Sequence, residues 1–326
     1  MSVWLPVAPC TPRACAGHRG PVRSPAAAAA LLAAGCLLAL LGAVCVPAAL
    51  LLAPAARDRL VRLWARAVVR SFGVRIRVTG APGPRTGGEL VVANHVSWLD
   101  VPLVAAVLPG RMLGKAEIRR WPLLGPLAAL GGTLFIERNR LRALPEAVAT
   151  VAGALRSGGR VVAFPEGSTW CGRDPGGVFR PAVFQAALDA GATVRPVRIR
   201  YVLPADGGDR GTATAVAFVG DDPLGASLWR VVRAGGVTAE ITLAAPVPAA
   251  AAPDRRALAR LARSAVLGEA VEPARSGPAD HAPAQRADDA RAHPTGYGTV
   301  PGVPPQRRRG DRSRRPTGAG AGRRAG

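Results

Sequence analysis

From Ala26 to Ala53 the chain reads AAAAALLAAGCLLALLGAVCVPAALLLA, 28 positions without a single charge. No other stretch restricts the fold as tightly. About 20 apolar residues are enough for a helix to cross the hydrocarbon core of a bilayer. Inside that core every backbone N–H and C=O must be satisfied within the segment, and a helix does this. Pro47 would kink such a helix without excluding it. The run is about twice the usual apolar length of a cleaved leader, and no clean small-x-small site precedes a polar start. The expectation is therefore a retained transmembrane or re-entrant anchor over 26–53. Arg13, Arg19 and Arg23 precede it, while Arg57, Arg59, Arg62, Arg66 and Arg70 follow. The heavier basic flank comes after the span, which places the rest of the chain at the cell membrane, facing the cytoplasm.

The segment RDRLVRLWARAVVRSF continues the membrane theme. At 100° per residue, Arg59, Arg62, Arg66 and Arg70 share an arc of about 80°, beside an apolar arc of Leu60, Trp64, Ala67 and Val68. An amphipathic interfacial helix over 56–72 is expected, lying at the level of the lipid headgroups.

Residues 73–271 alternate β-rich runs with helical stretches. Strands are expected at 74–78, 89–93, 133–137, 160–164, 193–201, 215–219 and 239–244, and helices at 101–108, 141–156, 181–190 and 254–270. This order predicts an α/β fold, a mixed and largely parallel sheet flanked by helices, with an N-terminal membrane helix. Residues are 49% hydrophobic but only 4% aromatic, so aliphatic side chains must fill the core. Residues 1–25 carry Pro and Arg and are expected to be disordered, as is a basic tail over 272–326.

The net charge of +22 admits nucleic acid, an anionic membrane or an acidic substrate as partner. Much of it sits in the terminal QRRRGDRSRRPTGAGAGRRAG, which lacks interleaved aromatics, and the chain carries no nucleic-acid-binding motif. No specific nucleic-acid partner is expected. Lys115 is the single lysine among 43 basic residues. Such a bias reads as GC-rich coding, which weakens any one arginine as a signal and singles out Lys115. The five cysteines are scattered, two of them within the apolar run, so neither a disulfide framework nor a metal site is expected.

The chemistry concentrates in VVANHVSWLD, residues 91–100, which holds one of only four histidines. On one helix His95 and Asp100 would point about 140° apart. They meet only if the chain changes from strand to helix between them, and Ser97 followed by Asp100 has the spacing of a capping box. A carboxylate that holds one ring nitrogen protonated leaves the other free to accept a proton. Three further strand ends follow: GTLFIER (132–138), FPEGST (164–169) and VRPV (194–197). Their regular spacing suggests one rim of a sheet lined with loop chemistry. Arg138 suits a bidentate grip on phosphate, and the turn at Gly167 can present backbone N–H groups to an anion.

In this order the motifs resemble those of the glycerolipid acyltransferase family, which includes bacterial 1-acylglycerol-3-phosphate acyltransferases. His95 and Asp100 match its H-x4-D motif, GTLFIER its second, FPEGS its third and VRPV its fourth. LGKAEIRRWPLLGPLAALGG is similar to the linking segment, and Lys115 lies there. The resemblance implies acyl transfer from acyl-CoA or acyl carrier protein to a hydroxyl of a membrane lipid acceptor, most simply 1-acylglycerol-3-phosphate, giving phosphatidic acid. It implies His95 as general base and Asp100 as its orienting partner. Arg138, Phe135, Pro165, Glu166, Gly167, Ser168 and Lys115 are then implied in substrate binding. No cofactor or metal is implied, because a thioester is already activated. The chain departs from the family where the third motif often reads F-P-E-G-T-R: Thr169 occupies the arginine position. Arg173 or Arg180 is the candidate substitute, and another lysolipid, such as lyso-ornithine lipid, is the alternative acceptor.

Overall fold

The computed structural model describes residues 8–84, 86–121, 124–137, 141–173, 176–204 and 211–269. The expected basic tail lies outside them. A short helix α1 (Pro12–Cys15) opens the chain, followed by two long ones, α2 (Pro25–Leu50) and α3 (Pro54–Ser71). Ser24 caps α2 by accepting from Ala27 N at 3.3 Å, and prolines open both α2 and α3, where a missing N–H costs nothing. Then come β1 (Arg75–Thr79), β2 (Glu89–Ala93), α4 (Asp100–Ala105), β3 (Arg111–Lys115), α5 (Leu124–Leu130) and β4 (Leu134–Ile136). Next are α6 (Leu144–Arg156), β5 (Arg160–Ala163), α7 (Ala182–Asp189) and β6 (Thr193–Val202). The chain continues through α8 (Leu224–Arg233), β7 (Thr238–Leu243), β8 (Val247–Pro248) and α9 (Arg255–Leu267).

The sheet runs β1-β7-β6-β2-β5-β3-β4, with β8 also on β6. Strands β6, β2, β5, β3 and β4 are mutually parallel, whereas β7 is antiparallel to β6 and parallel to β1. This is the mixed, largely parallel sheet expected. Its central strand, Glu-Leu-Val-Val-Ala, is buried throughout. Leu90 and Val92 join a core with Val151, Leu155, Phe184 and Leu258 beneath α6, α7 and α9. Val91 and Ala93 face the opposite core, built on Val69, Leu99, Leu103 and Val231 from α3, α4, α8 and the turn before α4. A strand covered on both faces reads as a continuous apolar run, as this one does from Leu90 to Ala93.

Two devices set the central register. At one end the buried Glu89 carboxylate accepts from Arg160 Nε at 2.6 Å and Arg195 Nε at 3.0 Å, joining β2, β5 and β6. Arg195 of the VRPV motif is thus a sheet tie, remote from the strands' C-terminal ends. Pro196 sits where β6 passes from its pairing with β8 at Thr193 and Val194 to its pairing with β7 from Val197 onward. The Pro196 carbonyl accepts from Ala244 N at 3.0 Å. A strand residue's N–H and C=O point the same way, so the absent N–H falls in the gap between the two neighbours.

Three expectations need correction. The apolar run at 215–219 is buried but not a strand: Thr214–Val216 forms a 3₁₀ turn, and Phe218 N donates to Val96 O at 3.0 Å. A short apolar run fits a packed turn as well as a strand. Strand β3 went unforeseen because Arg-Met-Leu-Gly-Lys has no β-branched residue. The N-terminal segment was expected to be disordered, yet residues 8–24 pack on the domain. The Arg23 guanidinium donates to Val232 O, Ala234 O and Gly73 O at 2.9, 2.6 and 2.7 Å, and Cys10 and Ala16 are buried. One arginine satisfies three carbonyls at the ends of α3 and α8, which composition does not reveal.

Helices α2 and α3 pack together through a heptad of small residues. Ala28 and Gly35 are buried, and a Cβ on Gly35 would come within 2.7 Å of the Phe72 ring. A Cβ on Gly42 would lie 2.3 Å from Trp64, whose Nε1 donates to Leu38 O at 2.9 Å. Close backbone approach of this kind is the use of small residues at membrane-helix interfaces. Leu31, Leu32 and Leu38 also pack on the core, while Leu37, Leu40, Leu41, Val44 and Leu50 of α2 are exposed.

Candidate active site

Strands β2 and β5 end side by side while β6 runs on to Val202, and the loops after β2 and β5 build one site with this overhang. Asn94 extends β2 beyond its last backbone pair: its side chain accepts from Ile199 N at 2.8 Å and donates to Ile199 O at 2.9 Å. The chain then turns into α4. One half of the capping box forms, the Asp100 carboxylate reaching back to Ser97 N at 2.8 Å, while Ser97 Oγ accepts from Leu99 N at 3.3 Å and the Asp100 N–H goes to Ser97 O. This turn folds a five-residue gap into a direct contact, His95 Nδ1 to Asp100 Oδ2 at 2.8 Å.

Asp100 is fully buried, while the His95 side chain keeps 22% of its surface. Oδ2 also accepts from Val96 N at 2.6 Å, and Oδ1 accepts from the Tyr201 hydroxyl at 2.7 Å. Four donors thus converge on one carboxyl group. A carboxyl oxygen accepting from Nδ1 fixes the ring orientation and leaves Nε2 facing outward as an acceptor. The imidazole stacks on Phe164 with ring centroids 4.1 Å apart and planes 16° apart. Tyr201 is buried, and burial, then the neighbouring Asp100 charge, raises its phenol well above the ordinary value.

The FPEGS loop after β5 lies beneath the histidine. Glu166 is buried and accepts from His95 N at 3.1 Å, and Trp170 N donates to His95 O at 2.8 Å. Burial, followed by the Asp100 charge, pushes the Glu166 carboxyl up to about 8, against the pull of the His95 and Gly177 N–H groups and the Arg263 charge. At neutral pH Glu166 is therefore largely a neutral acid. Gly167 turns the loop at φ +78°, and Gly176, also at positive φ, passes so close that a Cβ would meet Glu166 Oε1 at 2.4 Å. Pro165 is buried, and the peptide behind it carries a turn in which Gly167 N donates to Phe164 O at 3.2 Å.

A cavity of about 330 Å³ opens over His95, lined among others by Glu166, Trp170, Arg173, Arg198 and Arg200. Three arginines share the lining of this cavity with the histidine, and their charge favours an anionic ligand. Arg173 lines this cavity, whereas Arg180 is exposed and outside its lining. Thr169, at the family's arginine position, instead donates its hydroxyl to Phe218 O.

The structure thus brings His95, Asp100 and Glu166 together, with Gly167 and Ser168 in the adjoining turn. Lys115 ends β3 and Phe135 lies in β4, two and three strands from β2, and neither lines the cavity. The Phe135 ring has the Arg119 guanidinium 5.9 Å from its centroid. Arg138 lies outside the described residues. Asn94, Phe164 and Tyr201 went unforeseen. Tyr201 is one of two tyrosines, but 101 residues separate it from Asp100 and no spacing rule connects them.

The cysteines also depart from expectation. Cys10, Cys15 and Cys171 bring their Sγ atoms within 4.8 Å of one another, where scattered thiols were expected.

Comparisons with known proteins agree with the geometry. A family profile described as Acyltransferase matches residues 75–200. The 1-acyl-sn-glycerol-3-phosphate acyltransferase of Neisseria meningitidis is 37% identical over 63% of this chain and 78% of its own length. The lyso-ornithine lipid O-acyltransferase of Pseudomonas aeruginosa is 39% identical over 64% of this chain and 78% of its own length. The crystal structure of PlsC, the 1-acyl-sn-glycerophosphate acyltransferase of Thermotoga maritima, superposes with a TM-score of 0.57 at 19% identity, covering 74% of this chain and 92% of that one. With its H-x4-D and FPEGS motifs brought together at one end of the sheet and relatives matched over most of their length, this chain belongs to the acyltransferase family that includes the bacterial 1-acylglycerol-3-phosphate enzymes.

Proposed function

We propose that the protein acylates 1-acylglycerol-3-phosphate at the membrane surface, with acyl-CoA or acyl carrier protein as donor. The observation that carries this reading is the cationic cavity over a histidine whose Nδ1 is held by a buried carboxylate. His95 Nε2 takes the proton from the acceptor hydroxyl as its oxygen attacks the thioester carbonyl carbon. The C–S bond breaks, and the departing thiolate takes the proton back from the imidazolium. Asp100 keeps the ring oriented and balances its transient charge. Arg173, Arg198 and Arg200 hold the phosphate, and positioning supplies much of the rate because the thioester is already reactive. Glu166, Gly167 and Ser168 shape the floor of the acceptor site, Phe135 and Lys115 are left for the side of the sheet where an acyl chain or donor would pass, and Arg138 is kept as a further substrate ligand.

A second acceptor has its own support. Thr169 replaces the motif arginine and spends its hydroxyl on Phe218 O, so one expected phosphate ligand is missing. Lyso-ornithine lipid, which presents a carboxylate, is the alternative. Purified protein in detergent, supplied with one acyl-CoA and a panel of lysolipids, separates the two. Product should form on lysophosphatidic acid, and His95→Ala should lower turnover at least about 1,000-fold. Wild-type turnover in His95→Ala would overturn the mechanism, and preference for lyso-ornithine lipid would overturn the acceptor.

The anchor is transmembrane or re-entrant in this reading, with the catalytic domain on the cytoplasmic side. Leu37, Leu40, Leu41, Val44 and Leu50 of α2 are exposed along its second half, while Leu38 and Gly42 pack against Trp64 of α3, so the anchor meets the bilayer as part of a helix pair.

A further inference from the structure

Cys10 and Cys15 bracket the first helix, and Cys171 follows Trp170 in the loop that carries the FPEGS motif. The three thiols are unpaired, with Cys10 and Cys171 buried and Cys15 half-buried. All three Sγ atoms fall within 4.8 Å of one another, and among the described residues no histidine or carboxylate joins the group. The segment that brings Cys10 and Cys15 here is fastened on both sides. Thr214 Oγ1 donates to Gly17 O at 2.8 Å and Arg173 Nη1 to Ala14 O at 3.5 Å. On the other side of Cys171, the Trp170 N–H is bonded to the His95 carbonyl.

Metal–thiolate bonds of about 2.3 Å place three sulfurs around one ion at roughly 3.8–4.0 Å from each other. The cluster is therefore within an ångström of that geometry, on side chains with one rotatable bond each. A donor set of sulfur alone selects soft ions and rejects magnesium, calcium and manganese. Sequence spacing hid the cluster, since Cys171 stands 156 positions beyond Cys15.

We propose that Cys10, Cys15 and Cys171 form a three-thiolate site for a soft d¹⁰ cation, zinc or cuprous copper, which clips the N-terminal segment to the active-site loop. On binding, each S–H gives its proton to solvent and three metal–sulfur bonds form, with no change of oxidation state. Zinc would complete four-coordination with water, and cuprous ion would remain trigonal.

The test uses full-length protein in detergent under argon, with thiols first counted as reduced. Cobalt(II), as the zinc probe, and cuprous ion are titrated separately against competing chromophoric chelators. One equivalent should bind with a thiolate-to-metal charge-transfer band, and the ion with the tighter constant identifies the occupant. Cys10→Ser and Cys171→Ser should each weaken binding by more than about 100-fold, beyond what losing an outer partner costs. Cys36→Ser with Cys45→Ser, both exposed on α2, should leave it unchanged. X-ray absorption of the wild-type complex should count three sulfurs, which keeps the proposal testable if a serine variant fails to fold. Absence of a charge-transfer band with either ion, binding that survives Cys171→Ser, or an oxygen-only shell would overturn it. So would a Cys10–Cys171 disulfide that resists reduction in the purified protein.

Discussion

At the scale of single residues, the dyad owes its geometry to a partner outside its motif. Tyr201 donates to Asp100 Oδ1, and no other donor to that oxygen is seen among the described residues. Tyr201→Phe leaves a buried carboxylate oxygen short of a hydrogen bond without changing shape. Turnover should fall roughly tenfold with the fold intact, as steady-state kinetics and circular dichroism would show. Glu166 gives a second prediction, in stability. Its carboxyl is pushed up to about 8 from an ordinary 4.5, so between those values the folded chain keeps a proton that the unfolded chain has released. This contribution is fully present below pH 4.5 and is lost as pH rises through 8. Glu166→Gln mimics the neutral acid at every pH. The wild type should lose on the order of a few kcal/mol relative to this variant between pH 5 and 9, read from denaturant melts. Parallel pH profiles for the two proteins would refute the assignment.

Among elements, the strand-to-helix turn at 94–100 and the α2–α3 pair matter most. The turn is local: Asn94 closes the strand, the Ser97–Asp100 box opens the helix, and His95 is left between them. The helix pair depends instead on an absence of side chains at Gly35 and Gly42. Trp64 is fixed against Gly42 by its bond to Leu38 O, so it has nowhere to go. Gly42→Val should cost about 1–3 kcal/mol, seen as a lower melting temperature in detergent, and should leave the His95–Asp100 site unaltered. Because the exposed leucines of α2 would then be held less firmly beside the domain, sedimentation with vesicles should weaken as well.

For the whole molecule, one sheet separates two jobs. The ends of β2, β5 and β6 carry the dyad, while the opposite ends are tied by Glu89 to Arg160 and Arg195. The exposed apolar residues of α2 and the exposed Leu60 and Leu63 of α3 lie on the same helical pair. The basic tail belongs to a different effect, since residues 272–326 carry 11 arginines against 5 acidic residues. Truncation after Val271 should leave turnover on neutral vesicles unchanged and reduce binding to anionic ones, with the difference vanishing at high salt. Loss of turnover on neutral vesicles would assign the tail a direct role.

Much of this was legible beforehand because it is written in short range. A 28-residue uncharged run, the alternation of strands with helices, and His95 followed by Asp100 across a turn all depend on periodicity and on neighbours a few positions apart. So the long apolar helix, the fold class and the His95–Asp100 contact followed from sequence alone. The rest required the chain to be closed on itself. Tyr201 on Asp100, Phe164 under His95, Arg23 on the ends of α3 and α8, and three cysteines in one cluster join residues about 50 to more than 150 positions apart. The placement of Lys115 and Phe135 away from the cavity was likewise decided by strand order. Hydrophobic pattern dictates which residues must be buried, but burial is non-directional, and only the packed tertiary structure selects which buried groups meet.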